Sequence, residues 1–428
     1  MATTREINVQ KINFSWPLYA FIPLIFIFLC FFYIFAQSLY SQSYQLSPYY
    51  PLSITPPFST QPLSLIPPKG KVEEEHACDY TNGKWVYDNL GPLYNETSCG
   101  TMKEGRNCLS HGRPDKQYLY WRWTPENCKL PRFDPKTFLE TLRNKHLAFV
   151  GDSIARNQLE SLLCMIATVS TPELVYSHGE DNKFRRWYIP THNLNVSIYW
   201  SPFLVKGIEK NNEKNYNVHN LESVDERWAS DIGKIDILVL SVGQWFKLPA
   251  VFYYNDQALG CHICEGKNYT EIGFDGPLRM AYKTAFKSIL ERKGPTGGSI
   301  NAILTTFPPA HFEGEWDKLG TCSKTLPYEP EEKVLQGMEE DMRKIGIDEV
   351  REAKQKAKEF GNRIKLEALD ITKLSLLRPD AHPGPYMLPN PFENGVKDRL
   401  PNDCVHWCLP GAIDTWNEIL LKVIKRLM

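Results

Sequence analysis

The stretch HLAFVGDSIARNQLESLLC, His146 to Cys164, decides the fold. Its opening, His146-Leu-Ala-Phe-Val150, is a short apolar run of the kind that forms a buried strand. Gly151-Asp152-Ser153 breaks that run, and Ile154 to Thr168 then carries apolar residues at helical spacing. Two further apolar runs repeat the strand signal. Ile235 to Val242 ends at Gly243, and Ile300 to Phe307 is broken by Pro308-Pro309. Helical patterns occur at Leu278–Arg292 and Glu331–Phe360, and Ile413–Leu427 closes the chain as an amphipathic helix. Strands alternating with helices predict a mainly parallel sheet with helices on both faces. Chemistry in such sheets collects beyond the carboxyl ends of the strands.

Ser153 stands where a nucleophile belongs, between strand and helix. Glycine lets the backbone turn tightly, and the helix N-terminus offers backbone N–H groups to a developing oxyanion. A serine hydroxyl also needs a base within reach, and the base needs a group to orient it. Asp403-Cys-Val-His406, just before the last helix, has both. Asp-x-x-His sets a carboxylate near the imidazole Nδ1 while Nε2 faces the serine. Cys404 and Cys408 flank the histidine, so bridges there would hold the loop rigidly. The plainer reading makes Asp152 a helix cap, Ser153 a turn residue and His406 a buried histidine. Asp380 and His382, in RPDAHPGPY, form a rival acid–base pair, placed second because the flanking prolines favour a rigid loop.

Further out, the charge pattern sets the compartment. The 428 residues carry Lys+Arg 49 against Asp+Glu 50, a formal net charge of -1, which excludes a general basic footprint for nucleic acid. The charges are unevenly spread. None, and no histidine, lies in the 57 positions between Lys11 and Lys69, whereas the 360 residues from Lys69 hold 96 of the 99. Within the gap, Leu18 to Ala36 is nineteen residues of almost wholly apolar sequence, enough for a hydrocarbon core of about 30 Å. A cleaved signal peptide has a shorter apolar region and a small-x-small site, so an uncleaved anchor is expected. Arg5 and Lys11 precede it, which leaves the N-terminus cytosolic and the bulk of the chain lumenal. Gln37 to Pro68, with seven prolines from Pro48 onward, reads as an extended stem.

Cysteines and sequons agree with that address. Of eleven cysteines, Cys30 lies in the apolar span. The other ten are Cys78, Cys99, Cys108, Cys128, Cys164, Cys261, Cys264, Cys322, Cys404 and Cys408. An even set in an oxidising lumen predicts disulfides and leaves their pairing open. Cys261-His-Ile-Cys264 also has zinc or redox spacing, but no second C-x-x-C and no βαβ context accompany it. A local bridge or two long-range bridges are expected instead, and no metal. Sequons at Asn95, Asn195 and Asn268 are glycosylation candidates, while the one at Asn13 would face the cytosol. Cys78 to Arg132, dense in Cys, Gly and aromatics, reads as a small disulfide-stapled subdomain or cap.

Long segments carry a family resemblance. GDSIARNQLESLLC at Gly151–Cys164 and DCVHWCLPGAIDTWN at Asp403–Asn417 closely resemble the plant trichome birefringence-like family. CDYTNGKWVYD at Cys78–Asp88 and YLYWRWTPENCKLPRFDP at Tyr118–Pro135 look like its N-terminal subdomain. The likeness covers essentially all of Glu75 to Met428. It implies a type II Golgi polysaccharide O-acetyltransferase with a fold related to GDSL/SGNH esterases. The implied organisation is a cytosolic tail (1–17), a transmembrane signal anchor (18–36), a stem (37–75), a Cys-rich subdomain (76–135) and a catalytic domain (136–428). It also implies Ser153 as nucleophile, His406 as general base and Asp403 as orienting carboxylate. STPELVY at Ser170–Tyr176, FRRWYIPTHNLNVSIYWSPFLV at Phe184–Val205 and the segments from Val242 to Gly266 are similar to the xyloglucan-acetylating branch.

The mechanism expected is double displacement, with an acetyl-serine intermediate and a sugar hydroxyl as acceptor. No bound cofactor is expected; an acetyl donor, acetyl-CoA or an acetylated intermediate, is the co-substrate, with an acetyl-supplying membrane protein as the alternative partner. Oxyanion candidates are the Ser153 N–H, Gly243, Arg156 and Asn157. Sugar platforms are sought among Trp187, Trp200, Trp245 and Trp316, and Arg185-Arg186 are candidates for anion or substrate binding. Galactosyl side-chain residues of xyloglucan are the favoured acceptor; other acceptors (the xyloglucan backbone, xylan, mannan, pectin), an esterase using water as acceptor, and a non-catalytic glycan-binding protein are the competing functions.

Overall fold

The computed structural model describes residues 78–180, 183–266, 268–296, 298–396 and 399–428. The expected tail, anchor and stem lie outside the described residues. Among the described residues no helix is long and apolar enough to cross a membrane.

An antiparallel pair, β1 (Gly83–Tyr87) and β2 (Trp121–Pro125), precedes the main α/β body. The deciding stretch folds as β3 (His146–Gly151), buried along its whole length. β4 (Glu173–His178), β5 (Phe184–Ile189), β6 (Leu194–Trp200), β7 (Val205–Ile208) and β8 (Asn217–Val224) follow. Then come β9 (Ile237–Ser241), β10 (Ala250–Tyr254), β11 (Gln257–His262), β12 (Ile300–Thr305) and β13 (Ile364–Leu369).

The main sheet has seven strands in the order β13-β12-β9-β3-β6-β5-β4. From β13 to β6 all pairings are parallel; β5 and β4 are antiparallel additions at one edge. The sheet is therefore mixed, with its parallel part central. A separate four-stranded sheet, β11-β10-β8-β7, was not signalled by the apolar runs. β7, β8, β11 and the β4–β5 hairpin are partly or fully exposed, and so lack the continuous apolar pattern of β3, β9 and β12; β10, with Ala250, Val251 and Phe252 buried, is a short apolar run that sequence reasoning passed over.

Period-two alternation sorts the central strands into two cores. Leu147 and Phe149 of β3, with Ile237 and Val239 of β9, face one core; Ala148, Val150, Leu238 and Leu240 face the other. The first core is covered by α1 (Ser153–Ala167), the second by α2 (Asp275–Lys293) and α3 (Met338–Ala357), and α4 (Asp414–Leu427) returns to the first. α3 starts at Met338, not at Glu331. Glu339, Glu340 and Asp341 fill its first turn and Lys354 and Lys356 its last, which complements the helix dipole.

The ten cysteines from Cys78 onward all pair: Cys78–Cys128, Cys99–Cys164, Cys108–Cys408, Cys261–Cys264 and Cys322–Cys404. The N-terminal segment is more than a cap. Only Cys78–Cys128 closes within it, while Cys99 is tied to α1 and Cys108 to the segment preceding α4. Its Trp85 donates to the Leu374 carbonyl at 2.9 Å and meets Trp123 edge-on. Trp85 and Trp123 share the first core with Trp407 and Trp416.

Candidate active site

The carboxyl ends of β3, β9 and β6 meet at Gly151, which pairs with Ser241 on one side and Trp200 on the other. A Cβ at Gly151 would sit 1.8 Å from the Ser241 carbonyl oxygen. Close approach of β9 explains the glycine. Asp152 caps α1, its carboxylate accepting from the Ile154 N–H at 2.9 Å. Burial pushes the Asp152 carboxyl up to about 6, against the pull of the Ile154, Gly243, Gln244 and Ala155 amides. Ser153 opens the helix and is only half-buried, so its hydroxyl sits at a helix N-terminus within reach of solvent.

Asp403 and His406 form the acid–base pair of the site. His406 Nδ1 lies 2.7 Å from Asp403 Oδ2, and Asp403 Oδ1 accepts from the backbone N–H groups of His406 at 2.9 Å and Val405 at 3.1 Å. Arg106 donates to Asp403 Oδ2 at 3.3 Å. Burial alone would raise the Asp403 carboxyl, but His406 and Arg106 outweigh it and hold it well below the usual carboxylate range. Burial holds the His406 imidazole below its ordinary value, helped by Arg106 and opposed by Asp403. An ionised Asp403 beside a neutral His406 follows, with the Nδ1–H on the carboxylate and Nε2 bare. Among the described residues nothing hydrogen-bonds His406 Nε2.

The loop that carries this pair is held along its length. Asp403 exchanges two backbone hydrogen bonds with Gly384, at 2.9 and 3.0 Å. Gly384 has φ 53° and ψ -133°, a conformation that favours glycine. The Cys404 carbonyl accepts from His311 N–H, the Cys408 N–H donates to Ala381, and the Leu409 N–H donates to Arg106. Disulfides anchor Cys404 and Cys408. Between them, Trp407 N–H donates to Asn157 Oδ1 at 2.8 Å and its carbonyl accepts from Asn157 Nδ2 at 3.2 Å. Residues four apart share a helix face, so Asn157 ties His406's neighbour to the face of α1 that presents Ser153.

Comparisons with known proteins fit this geometry. Residues 130–423 match the "GDSL/SGNH-like Acyl-Esterase family found in Pmr5 and Cas1p", and residues 76–129 match the PMR5 N terminal domain. The chain is 59% identical to xyloglucan O-acetyltransferase 1 of Populus trichocarpa over 98% of its own length and 94% of the relative's. It is 54% identical to xyloglucan O-acetyltransferase 1 of Arabidopsis thaliana, over 83% and 82% of the two chains. Protein trichome birefringence-like 24 of Arabidopsis thaliana matches at 40%, over 84% of each. The chain belongs to the GDSL/SGNH-like acyl-esterase family, in its trichome birefringence-like group.

Several residues sought in this trichome birefringence-like sequence stand elsewhere than expected. Trp187 and Trp200 are buried, 4% and 5% exposed, so neither offers a face to a sugar. Trp245 is half-buried against Trp200 and Phe203. Trp316 is the exposed indole, 57%, and its carbonyl accepts from the N–H of Asn402, next to Asp403. Arg186 turns to Ser197, Tyr199 and Asp231, in a network away from Ser153. Asn157 is a clamp, both its polar atoms being engaged by Trp407. Gly243 faces Phe307, whose ring a Cβ there would meet at 2.6 Å, and its amide acts on Asp152. Arg156 lies under the Trp200 ring, 5.3 Å from its centroid.

The rival pair is not a pair. Asp380 turns its carboxylate to Arg378 at 2.8 Å, both fully buried. His382 Nδ1 instead donates to the His406 carbonyl at 2.6 Å, and its Nε2 lies 2.7 Å from His311 Nδ1. Burial pushes His311 down to about 4 and His382 well below the ordinary imidazole value. The two rings therefore back the loop that carries His406. Of the sequons, Asn95 and Asn268 are exposed, and Asn195 is half-buried at the start of β6. Sequence reasoning missed Arg106, which lies 297 positions from the carboxylate it meets and carries no local signal.

Proposed function

We propose that the chain is an acetyltransferase acting on xyloglucan, with hydroxyls of galactosyl side-chain residues as acceptors and an acetyl-Ser153 intermediate. The observation that carries the chemistry is the Asp403–His406 hydrogen bond, with Nε2 left bare on a loop clamped to the helix that begins at Ser153. The identity of 59% and 54% to proteins named xyloglucan O-acetyltransferase supports the acceptor.

In the first half-reaction His406 Nε2 takes the Ser153 proton, Oγ attacks the acetyl carbonyl, and the proton passes to the leaving group. The negative oxygen of the tetrahedral intermediate lies near the N-terminus of α1, where the Ser153 amide is the first donor. In the second half-reaction the same base takes the proton of a sugar hydroxyl, which collects the acetyl group. Asp403 keeps the imidazole oriented and stabilises the imidazolium formed in each half. The exposed Trp316 indole beside the Asp403 loop is a platform for the neutral acceptor. A type II anchor in the Golgi membrane remains part of this reading, supported by the apolar span at 18–36 and the paired cysteines.

The same residues could hydrolyse an ester, and the acyl-esterase description of the family keeps that reading in view. Transfer and hydrolysis separate in one assay. Labelled acetyl should appear on xyloglucan oligosaccharide in preference to xylan, mannan or pectin oligosaccharides, with the modified hydroxyl read by product NMR. Net deacetylation of acetylated xyloglucan, without transfer, would make the chain an esterase.

A further inference from the structure

A cavity of about 550 Å³ runs along α1 from Arg156 to Ala167, a volume within the roughly 300–1,000 Å³ of small-molecule sites. Four pieces of chain build its walls: Met102 and Lys103 of the N-terminal segment, Arg156 and Glu160 of α1, Thr171 to Leu174 leading into β4, and Arg185 and Trp187 of β5. Three cations thus face one carboxylate. Burial raises the Glu160 carboxyl, and Arg106, Arg156, Lys103 and Arg185 all pull against it, so these cations share one electrostatic neighbourhood. Arg156 is three residues beyond Ser153, one helix turn away and about 5–6 Å in Cβ spacing. Its charge also acts on His406. The cavity and the acid–base pair are therefore joined through a single turn of helix.

A neutral glucan acceptor has no use for such a cluster, whereas phosphate oxygens are what clustered Arg and Lys side chains bind. We propose that this cavity holds the phosphate-bearing portion of an acetyl thioester donor, with Lys103, Arg156 and Arg185 as its anion ligands and its acetyl group reaching Ser153. The inference rests on the acetyltransferase reading and adds the seat of the donor. In the step it serves, Ser153 Oγ bonds to the acetyl carbon and the carbon–sulfur bond breaks. The Oγ proton moves to His406 and from there to the departing thiolate. Buried Trp187 lines the cavity, and the exposed Lys103 draws the anion in.

The test uses the purified full-length chain with two donors, acetyl-CoA and a neutral aryl acetate. For Arg185→Gln and Lys103→Gln, the ratio of kcat/KM for acetyl-CoA to that for the aryl acetate should fall by about tenfold for each cation removed, the loss of one charge-assisted contact. Arg185→Lys should restore most of the ratio. In the unmutated protein, KM for acetyl-CoA should rise with ionic strength while that for the aryl acetate stays level, and free CoA should compete. A ratio unmoved in both Gln variants overturns the donor site and leaves the acetyltransferase reading standing. So does competition by an oligogalacturonide where CoA has no effect. Transfer from neither donor overturns the acetyltransferase reading itself, and the donor site with it.

Discussion

The Asn157 carboxamide grips the backbone of Trp407 at both ends, accepting its N–H at 2.8 Å and donating to its carbonyl at 3.2 Å. This one side chain locks the loop that ends in His406 to the helix that begins at Ser153, two segments some 250 residues apart in sequence. Asn157→Ala leaves a buried N–H and a buried carbonyl without partners, which costs about 2–4 kcal/mol. Its effect on activity should exceed its effect on stability. The comparison is Leu163→Ala, a fully buried site in the same helix. That cavity destabilises by about 2–5 kcal/mol without touching the loop. Denaturant unfolding should give similar losses for the two variants, whereas kcat should fall substantially only for Asn157→Ala.

The position of Arg106 makes a prediction about pH. A base that must be neutral works above its own pKa, and that of His406 lies below the ordinary 6.5 because of burial and the Arg106 charge. The acid limb of kcat/KM should therefore fall below pH 6.5. Removing the cation in Arg106→Gln relieves its repulsion of the imidazolium, so the limb should move to higher pH. Asp403 stays ionised throughout, since its carboxyl is held so far down. A limb that moves to lower pH in the variant would contradict this electrostatic account.

Glu418 offers a stability test with a definite sign. Burial pushes its carboxyl up to about 7, against the pull of Arg122 and the Phe133 N–H. A raised folded value favours folding fully below the unfolded value near 4.5, and that contribution is lost as pH rises through about 7. Glu418→Gln removes the need to ionise a buried group. Relative to the parent, it should gain less than about 1 kcal/mol at pH 5 and about 3 kcal/mol at pH 8, since 4.5 and 7 lie about 2.5 pKa units apart at about 1.4 kcal/mol each. Denaturant unfolding at the two pH values measures the difference.

The bridge from Cys322 to Cys404 ends one residue from Asp403. Replacing both cysteines by serine should cost about 2–4 kcal/mol through the freed chain. It should also lower kcat, because the loop around Asp403 keeps its Gly384 hydrogen bonds but loses a covalent anchor. The Cys78–Cys128 pair, internal to the N-terminal segment, is the control: its loss should affect stability with little change in kcat.

What was legible in the sequence follows from burial. β3, β9 and β12 are buried on both faces and so read as unbroken apolar runs. β13 is partly exposed, with Lys365 and Glu367 inside it, and β4 is exposed along its length, so neither carries that signal. Asp403 and His406 were legible because they are three residues apart, close enough for the loop itself to pair them. Arg106, Asn157 and Trp316 join the site through tertiary contacts alone. His382 was visible in its motif, but its role was not, because the partner is the His406 backbone carbonyl.

The central claim is that Ser153 carries the acetyl group between donor and sugar. Incubating the full-length chain with an acetyl donor and no acceptor, then reading tryptic peptides by mass spectrometry, tests it directly. The account predicts one added acetyl group on Ser153, discharged when xyloglucan oligosaccharide is supplied, and no such adduct or transfer in Ser153→Ala. Undiminished transfer by Ser153→Ala, or a discharging adduct on another residue, would contradict it.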